Sequence, residues 1–475
     1  MTSSPSLPLK PSRRNWIYLL LAIAATLPWV FLYYAAPRDA AGHWELSYLV
    51  VATLSGLAIL AAAFLLSWGA EVAQLDMAQS LALVILSLIA ILPEYSVDMA
   101  FAWSAGKGWA ALQNPATAGL ESTARLWENR HYAVANMTGA NRILIGIAWS
   151  AVVFLYYWRT REKQIKIESS RIVEMKFLLL ATIYSFTLPL KAALWGIGIH
   201  WVDALVLVSI FGFYVRAASQ TEHIEPELMG PPASIAALQT TPRRLICLAL
   251  FIFSAWVIFL AAHPFAESLV EVGKTYRINE FLLVQWIAPL ASEMPEFIVA
   301  GLFAWRGFPA MGMGTLISSK VNQWTLLVGL LPVVFGLAAG HAVPLPLDGQ
   351  QRSEVLLTSA QSLYAVAVLL NFRISVWEAA GLLGLFLAQF ITQFIINMAH
   401  PATSQFAARQ ALILTQNSQL FFSVLYIGLA FYIIFASAER RAILGGILRR
   451  GTGGAKATVE CGTDTDSSDA EAKLH

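Results

Sequence analysis

Cysteine and charge are what this sequence is short of. Its 475 residues hold two cysteines, Cys247 in an apolar run and Cys461 near the C-terminus, which make neither a disulfide framework nor a zinc pattern. Charged residues are 13% of the chain, about half of the roughly 25% usual in soluble domains. A net charge of +2 leaves no electrostatic footprint for nucleic acid or for an acidic substrate. The Gly-x-x-x-x-Gly-Lys-Ser/Thr loop of ATP-driven machines is missing, and so is any His-x-x-x-His pair among the eight scattered histidines. No nucleophile and base stand at motif spacing, so an enzyme, even a membrane-embedded hydrolase, has little support. In place of these there is apolar sequence: 57% hydrophobic residues and a mean hydropathy of +0.62, the mark of a polytopic membrane protein.

Crossing the hydrocarbon layer takes about 20 apolar residues. Twelve stretches qualify: 15–36, 46–69, 79–103, 132–157, 174–190, 194–216, 244–262, 281–306, 310–337, 354–371, 374–398 and 410–436. The first follows Lys10, Arg13 and Arg14 and is longer than a signal-peptide core, so it is expected to stay as a signal-anchor helix. Placing the N-terminus in the cytoplasm puts Arg159, Arg161, Lys163, Lys166, Arg171, Arg216, Arg243, Arg244, Arg440, Arg441, Arg449 and Arg450 inside, satisfying the positive-inside bias. Both termini are then cytoplasmic, in a plasma or inner membrane. The proline-broken stretch 217–243 reads as a linker. Residues 451–475, rich in Gly, Ser, Thr and Asp, read as a disordered tail.

One stretch occurs twice. Pro93-Glu94-Tyr95 opens a run ending Phe101-Ala102-Trp103, and Pro295-Glu296-Phe297 opens one ending Phe303-Ala304-Trp305, at a constant offset of 202. The copies fall in the third and eighth spans, which cross in opposite directions. An all-α, inverted-topology repeat of five plus five helices follows. Residues 1–45 carry the N-terminus and an extra helix, 46–216 the first repeat, 217–243 the linker, 244–398 the second repeat, and 399–450 an extra C-terminal helix. Inverted repeats with intramembrane acids point to secondary transport, with the site near the midplane.

A proline inside a helix frees carbonyls from their usual donors, so each Pro-Glu step offers carboxylate and carbonyl oxygens at one depth, the donor type hard cations such as Ca2+ take. The alternative is a glutamate that merely neutralises a basic side chain. Each such helix is followed by small and polar residues: Asn136-Met137-Thr138-Gly139-Ala140-Asn141, and Gly314-Thr315-Leu316-Ile317-Ser318-Ser319-Lys320-Val321-Asn322-Gln323. Such runs are packing seams as readily as ion sites.

This order of elements resembles the sodium/calcium exchanger family of cation/Ca2+ antiporters, over about 46–398. The family pattern is Thr-Ser-x-Pro-Glu followed by Gly-Asn-x-x-Gly-Ser-Asn-x-x-Asn or Asp. The resemblance implies that Glu94 and Glu296 are paired ion-binding, metal-ligating glutamates. It matches Ser292 to the Thr, Ser319 to the Ser of the second signature, and Asn136 and Asn141 to the two Asn of the first. Departures are clear: Ala90 and Ile91 replace the first hydroxyl pair, Ala140 and Leu144 replace Ser and Asn, Glu293 replaces a Ser, Lys320 an Asn, and Gln323 stands at an Asn or Asp ligand position. The expected site is therefore Glu94, Glu296, Ser292, Glu293, Ser319, Gln323, Asn136 and Asn141, its charge modulated by Lys320, Arg142 and Asp98.

Lys320 is expected either to stand in for one sodium or to snorkel to the interface. Asp98, one turn beyond Glu94, is expected to line an exit path or to reach the outer interface. Glu71 and Asp76 form a candidate mouth. The 104–131 segment, long beside its counterpart 306–309, is expected to cap the outer entrance or bind a partner.

The function expected is exchange of Ca2+, or a related cation, against Na+ or H+ by alternating access. The partners are the lipid bilayer and small cations, with no resident cofactor and no nucleic acid. The alternatives are a proton- or monovalent-cation exchanger, and a non-transporting scaffold or sensor whose glutamates Lys320 and Arg142 neutralise.

Overall fold

The computed structural model describes residues 12–37, 45–76, 92–168, 171–220, 228–276, 279–400 and 405–449. Outside them lie the start of the expected third span with Ala90 and Ile91, the acidic part of the linker at 221–227, and the tail at 451–475.

The first half runs through α1 (Arg13–Ala35), α2 (Tyr48–Ala73), α3 (Leu92–Gln113), α4 (Glu121–Ile143), α5 (Ser150–Thr160), α6 (Ile172–Ser185), α7 (Thr187–Trp195) and α8 (Trp201–Ala218). After the short α9 (Pro231–Ala236) come α10 (Thr240–Tyr276), α11 (Glu280–Arg306), α12 (Pro309–Asn322), α13 (Val328–Ala339), α14 (Gly349–Leu369), α15 (Val376–Ala399), α16 (Gln405–Ala436) and α17 (Ala438–Arg449). Within the described residues, ten helical spans are long and apolar enough to cross a membrane, and each coincides with an expected one. The other two expected spans fall on α3 and α14. Their described residues, which for α3 leave out 79–91, do not qualify by length and composition, and their acids, Glu94, Asp98 and Glu354, are buried in the bundle, where intramembrane charge is tolerated.

Five spans make each half: α2, α3, α4–α5, α6–α7 and α8, then α10, α11, α12–α13, α14 and α15. An odd number of crossings turns the second half over. Two backbone pairings express the resulting two-fold relation. The strand Gln164–Lys166, between the third and fourth spans of the first half, pairs antiparallel with Arg373–Ser375, between the fourth and fifth spans of the second. At the opposite end Ile199 and Leu345 exchange hydrogen bonds of 2.9 and 2.8 Å, joining the equivalent loops with the halves interchanged. A π-helical turn interrupts the third span of each half, at Leu144–Trp149 and at Gln323–Leu327. The two turns start at corresponding positions of the two signatures. Such bulges in helices gather at functional sites.

Where helices cross closely, glycine makes it possible. A Cβ on Gly139 would sit 1.8 Å from the Gln285 carbonyl oxygen of α11, so only a bare Cα fits there. Pro289, four residues after Gln285, removes the helical donor for that same carbonyl.

Three expectations about surroundings change here. Residues 104–131 are no separate cap: α3 continues to Gln113, α4 begins at Glu121, and the two form a hairpin. Trp109 and Trp127, 5.4 Å apart, pack this hairpin onto Phe335 of α13. The helix α3 runs on to Gln113, past its expected end, and Asp98 in its second turn is fully buried and does not reach an interface. The linker is partly helical, with Pro231 and Pro232 opening α9, where a missing N–H costs nothing. Ser234 of α9 accepts from Asn15 Nδ2 at 2.8 Å, holding α1 against the linker.

Candidate functional site

The first turn of α3 and the middle of α11 present their acids to one another. Gln323, heading the second π turn, donates from Nε2 to Glu293 Oε1 at 2.7 Å and, at 3.4 Å, to Glu94 Oε1. Glu94 and Glu293 are within hydrogen-bonding reach of each other. Glu296, three residues beyond Glu293 and so on the same face of α11, is within electrostatic reach of both. Three carboxylates from the two inverted halves thus share one buried locality. One oxygen of each, Glu94 Oε2, Glu293 Oε2 and Glu296 Oε2, is buried without a hydrogen-bond partner among the described residues, as is Gln323 Oε1. Unmet acceptors at this depth are costly, and a hard cation or protons would satisfy them.

Lys320 does not snorkel. It is fully buried, and its Nζ donates to Asn141 Oδ1 at 2.6 Å and to the Asn141 carbonyl at 2.7 Å, 5.4 Å from the Trp324 ring centroid. Its ammonium is within electrostatic reach of Glu293 and Glu94. Lys320 and Asn141 occupy the same register position in the two signatures, so the contact joins the halves across their two-fold relation.

Other expected members are placed elsewhere. Asn136 donates from Nδ2 to Asp98 Oδ1 at 2.7 Å. The Ser292 hydroxyl turns back to the Pro289 carbonyl at 3.2 Å, as unpaired serines in helices do. Ser319 is half-buried and makes none of these hydrogen bonds. Three or more Asp, Glu, His or Cys groups in metal-holding geometry are not found among the described residues. The acids share a locality, then, without forming a closed metal cage.

Arg142 is the clearest departure from expectation. It is directed away from Glu94 and Glu296 and forms an ion pair of 2.9 Å with Glu354 of α14, both side chains almost fully buried. Gln285 donates to Glu354 at 2.9 Å, Gln419 of the extra helix α16 donates to its other oxygen, and the Trp286 ring lies 4.9 Å from the guanidinium. A scaffold whose site is neutralised by Arg142 therefore loses its premise. This second network escaped sequence reasoning. Only the place of Glu354 in an otherwise membrane-length run signalled it.

Of the candidate mouth, Asp76 is bound by Arg243 at 2.7 and 2.8 Å, and the two guanidiniums of Arg243 and Arg244 hold its carboxyl below the usual range. Glu71 is within electrostatic reach of Glu296. The pair His200 and Asp203 is structural, a capping box at the start of α8, with Asp203 also bound by Tyr184 and Lys191.

The family model of the sodium/calcium exchanger protein matches residues 47–219 and 246–395, which are the two halves of the fold. A solved structure described as the H+/Ca2+ exchanger CAX is 39% identical, with a TM-score of 0.76, covering 92% of this chain and 97% of its own. Native YfkE is similar in fold alone, at 12% identity and a TM-score of 0.54, covering 78% of this chain and 97% of its own. No curated protein matches the chain significantly. With both inverted halves matched and each Pro-Glu step inside a matched segment, the chain belongs to the sodium/calcium exchanger family of cation antiporters.

Proposed function

We propose that this antiporter exchanges Ca2+ for protons, by alternating access around Glu94, Glu293 and Glu296. The observation that carries the reading is the charge assembled there. Three carboxyl groups stand beside the one amine of Lys320, so with every group ionised the cluster would carry a net charge of minus two, which one Ca2+ or two protons would balance. Sodium is less well served. Asn141, an amide position of the family signature, has its side-chain oxygen turned to Lys320. The likeness to the H+/Ca2+ exchanger CAX supports the same choice.

Protons and Ca2+ compete for the same oxygens, so loading one expels the other. The basic residues of 159–171, with Arg216, Arg243 and Arg440, lie at one end of the bundle and favour a cytoplasmic placement of that end and of both termini.

Purified protein in lipid vesicles tests this. A vesicle interior more acidic than the medium drives uptake of radioactive Ca2+ without sodium, and Glu296→Gln abolishes it. Uptake that requires a Na+ gradient, or flux of protons and Na+ without Ca2+, overturns the proposal.

A further inference from the structure

Asp98 has no counterpart in the second half, where Ala300 stands, and yet it is fully buried in the second turn of α3. A lone acid at that depth is costly unless it serves something. It lies one turn beyond Glu94 on the same helix face and feels that carboxylate's charge. Its Oδ1 is bound by Asn136, while its Oδ2 and Asn136 Oδ1 are both buried without a partner among the described residues. Two unsatisfied hard oxygens, one of a carboxyl and one of an amide, thus belong to one hydrogen-bonded pair.

Their place along the helices adds direction. One and two turns further along α3, Phe101 and Ser104, and one and two turns earlier along α4, Tyr132 and Asn129, line a groove of about 510 Å3 between the α3–α4 hairpin and α10. Its rim carries Glu121, Glu128, Glu267 and Glu271 against Arg125 and Lys274. The Asp98–Asn136 pair stands between this groove and Glu94, at the end of the bundle away from the basic loops.

We infer that Asp98 and Asn136 form a second cation subsite, which Ca2+ occupies on its way between the groove and the Glu94–Glu293–Glu296 site. Oxygen-only ligands suit Ca2+, whose shell is filled flexibly. The second half supplies no equivalent, so the subsite serves passage on one side of the membrane only. This rests on the proposed Ca2+ transport, and the two are separable: failure of wild-type uptake removes the proposed function, whereas normal wild-type uptake with an indifferent Asp98 removes the subsite alone.

The experiment compares the full chain and its Asp98→Asn and Asp98→Glu variants in vesicles of defined orientation, reading the Ca2+ concentration that half-saturates uptake from each side. Asp98→Asn is expected to raise it about tenfold from the groove side and by less than about twofold from the other, because removal of one charged ligand weakens a Ca2+ site by that order. Asp98→Glu, which keeps the carboxylate, is expected to recover most of the loss. An equal change from both sides marks Asp98 as structural and overturns the subsite. So does an unchanged half-saturation, and so does a shift confined to pH dependence, which would assign Asp98 to protons alone.

Discussion

Breaking the Arg142–Glu354 pair tests whether this charge belongs to the ion site or to the scaffold. Both side chains are almost completely removed from solvent at 2.9 Å, and Glu354 also accepts from Gln285 and Gln419. Glu354→Gln leaves a buried guanidinium uncompensated, which costs about 3–5 kcal/mol, and Arg142→Met leaves the carboxylate in the same position at a similar cost. Removing both charges leaves neither stranded. The double variant is therefore expected to be less destabilised than the sum of the singles by at least about 2 kcal/mol, within the range of coupling seen for contacting pairs. Denaturant unfolding in detergent micelles, followed by tryptophan fluorescence, measures the four corners of the cycle. Additive penalties, with coupling below about 0.5 kcal/mol, would refute the pairing. The alternative, in which Arg142 neutralises Glu94 and Glu296, predicts instead that Arg142→Met changes ion dependence and leaves stability nearly intact.

Gly139→Val drives a side chain into the Gln285 carbonyl, and overpacking of this kind costs about 1–3 kcal/mol, read as a lowered unfolding midpoint with transport reduced in the surviving protein. Lys320→Asn removes the resident ammonium, so Na+ is expected to inhibit Ca2+ uptake in the variant and not in the parent; identical ion dependence counts against the resident-charge reading. Asp76 has a carboxyl held below its ordinary value by Arg243, so its contribution to stability is fully present above a pH of about 3.8 and is lost as the pH falls through the lower folded value. Asp76→Asn is expected to remove that acid-dependent part, measured as the difference between unfolding midpoints at neutral and strongly acidic pH, while an unchanged difference would show that the pair contributes nothing.

The duplicated Pro-Glu step made the inverted fold legible, because two acids at matching depth in oppositely directed helices arise by duplication far more readily than by chance. Lys320 was legible for a related reason: it interrupts a signature at a place where a neutral amide is expected. Its partner was not, since the side-chain reach that decides between snorkelling and burial depends on how closely α12 approaches α4. Of the two expectations for Asp98 the interface one fails, because the end of α3 was read from its loss of apolar residues at Trp103, whereas packing of Trp109 against Trp127 and Phe335 carries the helix further. The Arg142–Glu354 network rests on contacts between helices distant in sequence, and no periodicity encodes such a meeting. Ser292 was legible as a residue type that fits a ligand, but not the hydrogen bond by which its hydroxyl turns back to the Pro289 carbonyl.

The lysine held by its own register-mate constrains how such a chain could have arisen. In a dimer of two identical half-length subunits, the same position would face itself, setting ammonium against ammonium or amide against amide. Only after the two copies of the ancestral unit had drifted apart could one side supply the charge and the other its cradle. Separately expressed halves should accordingly find each other and disfavour self-pairing.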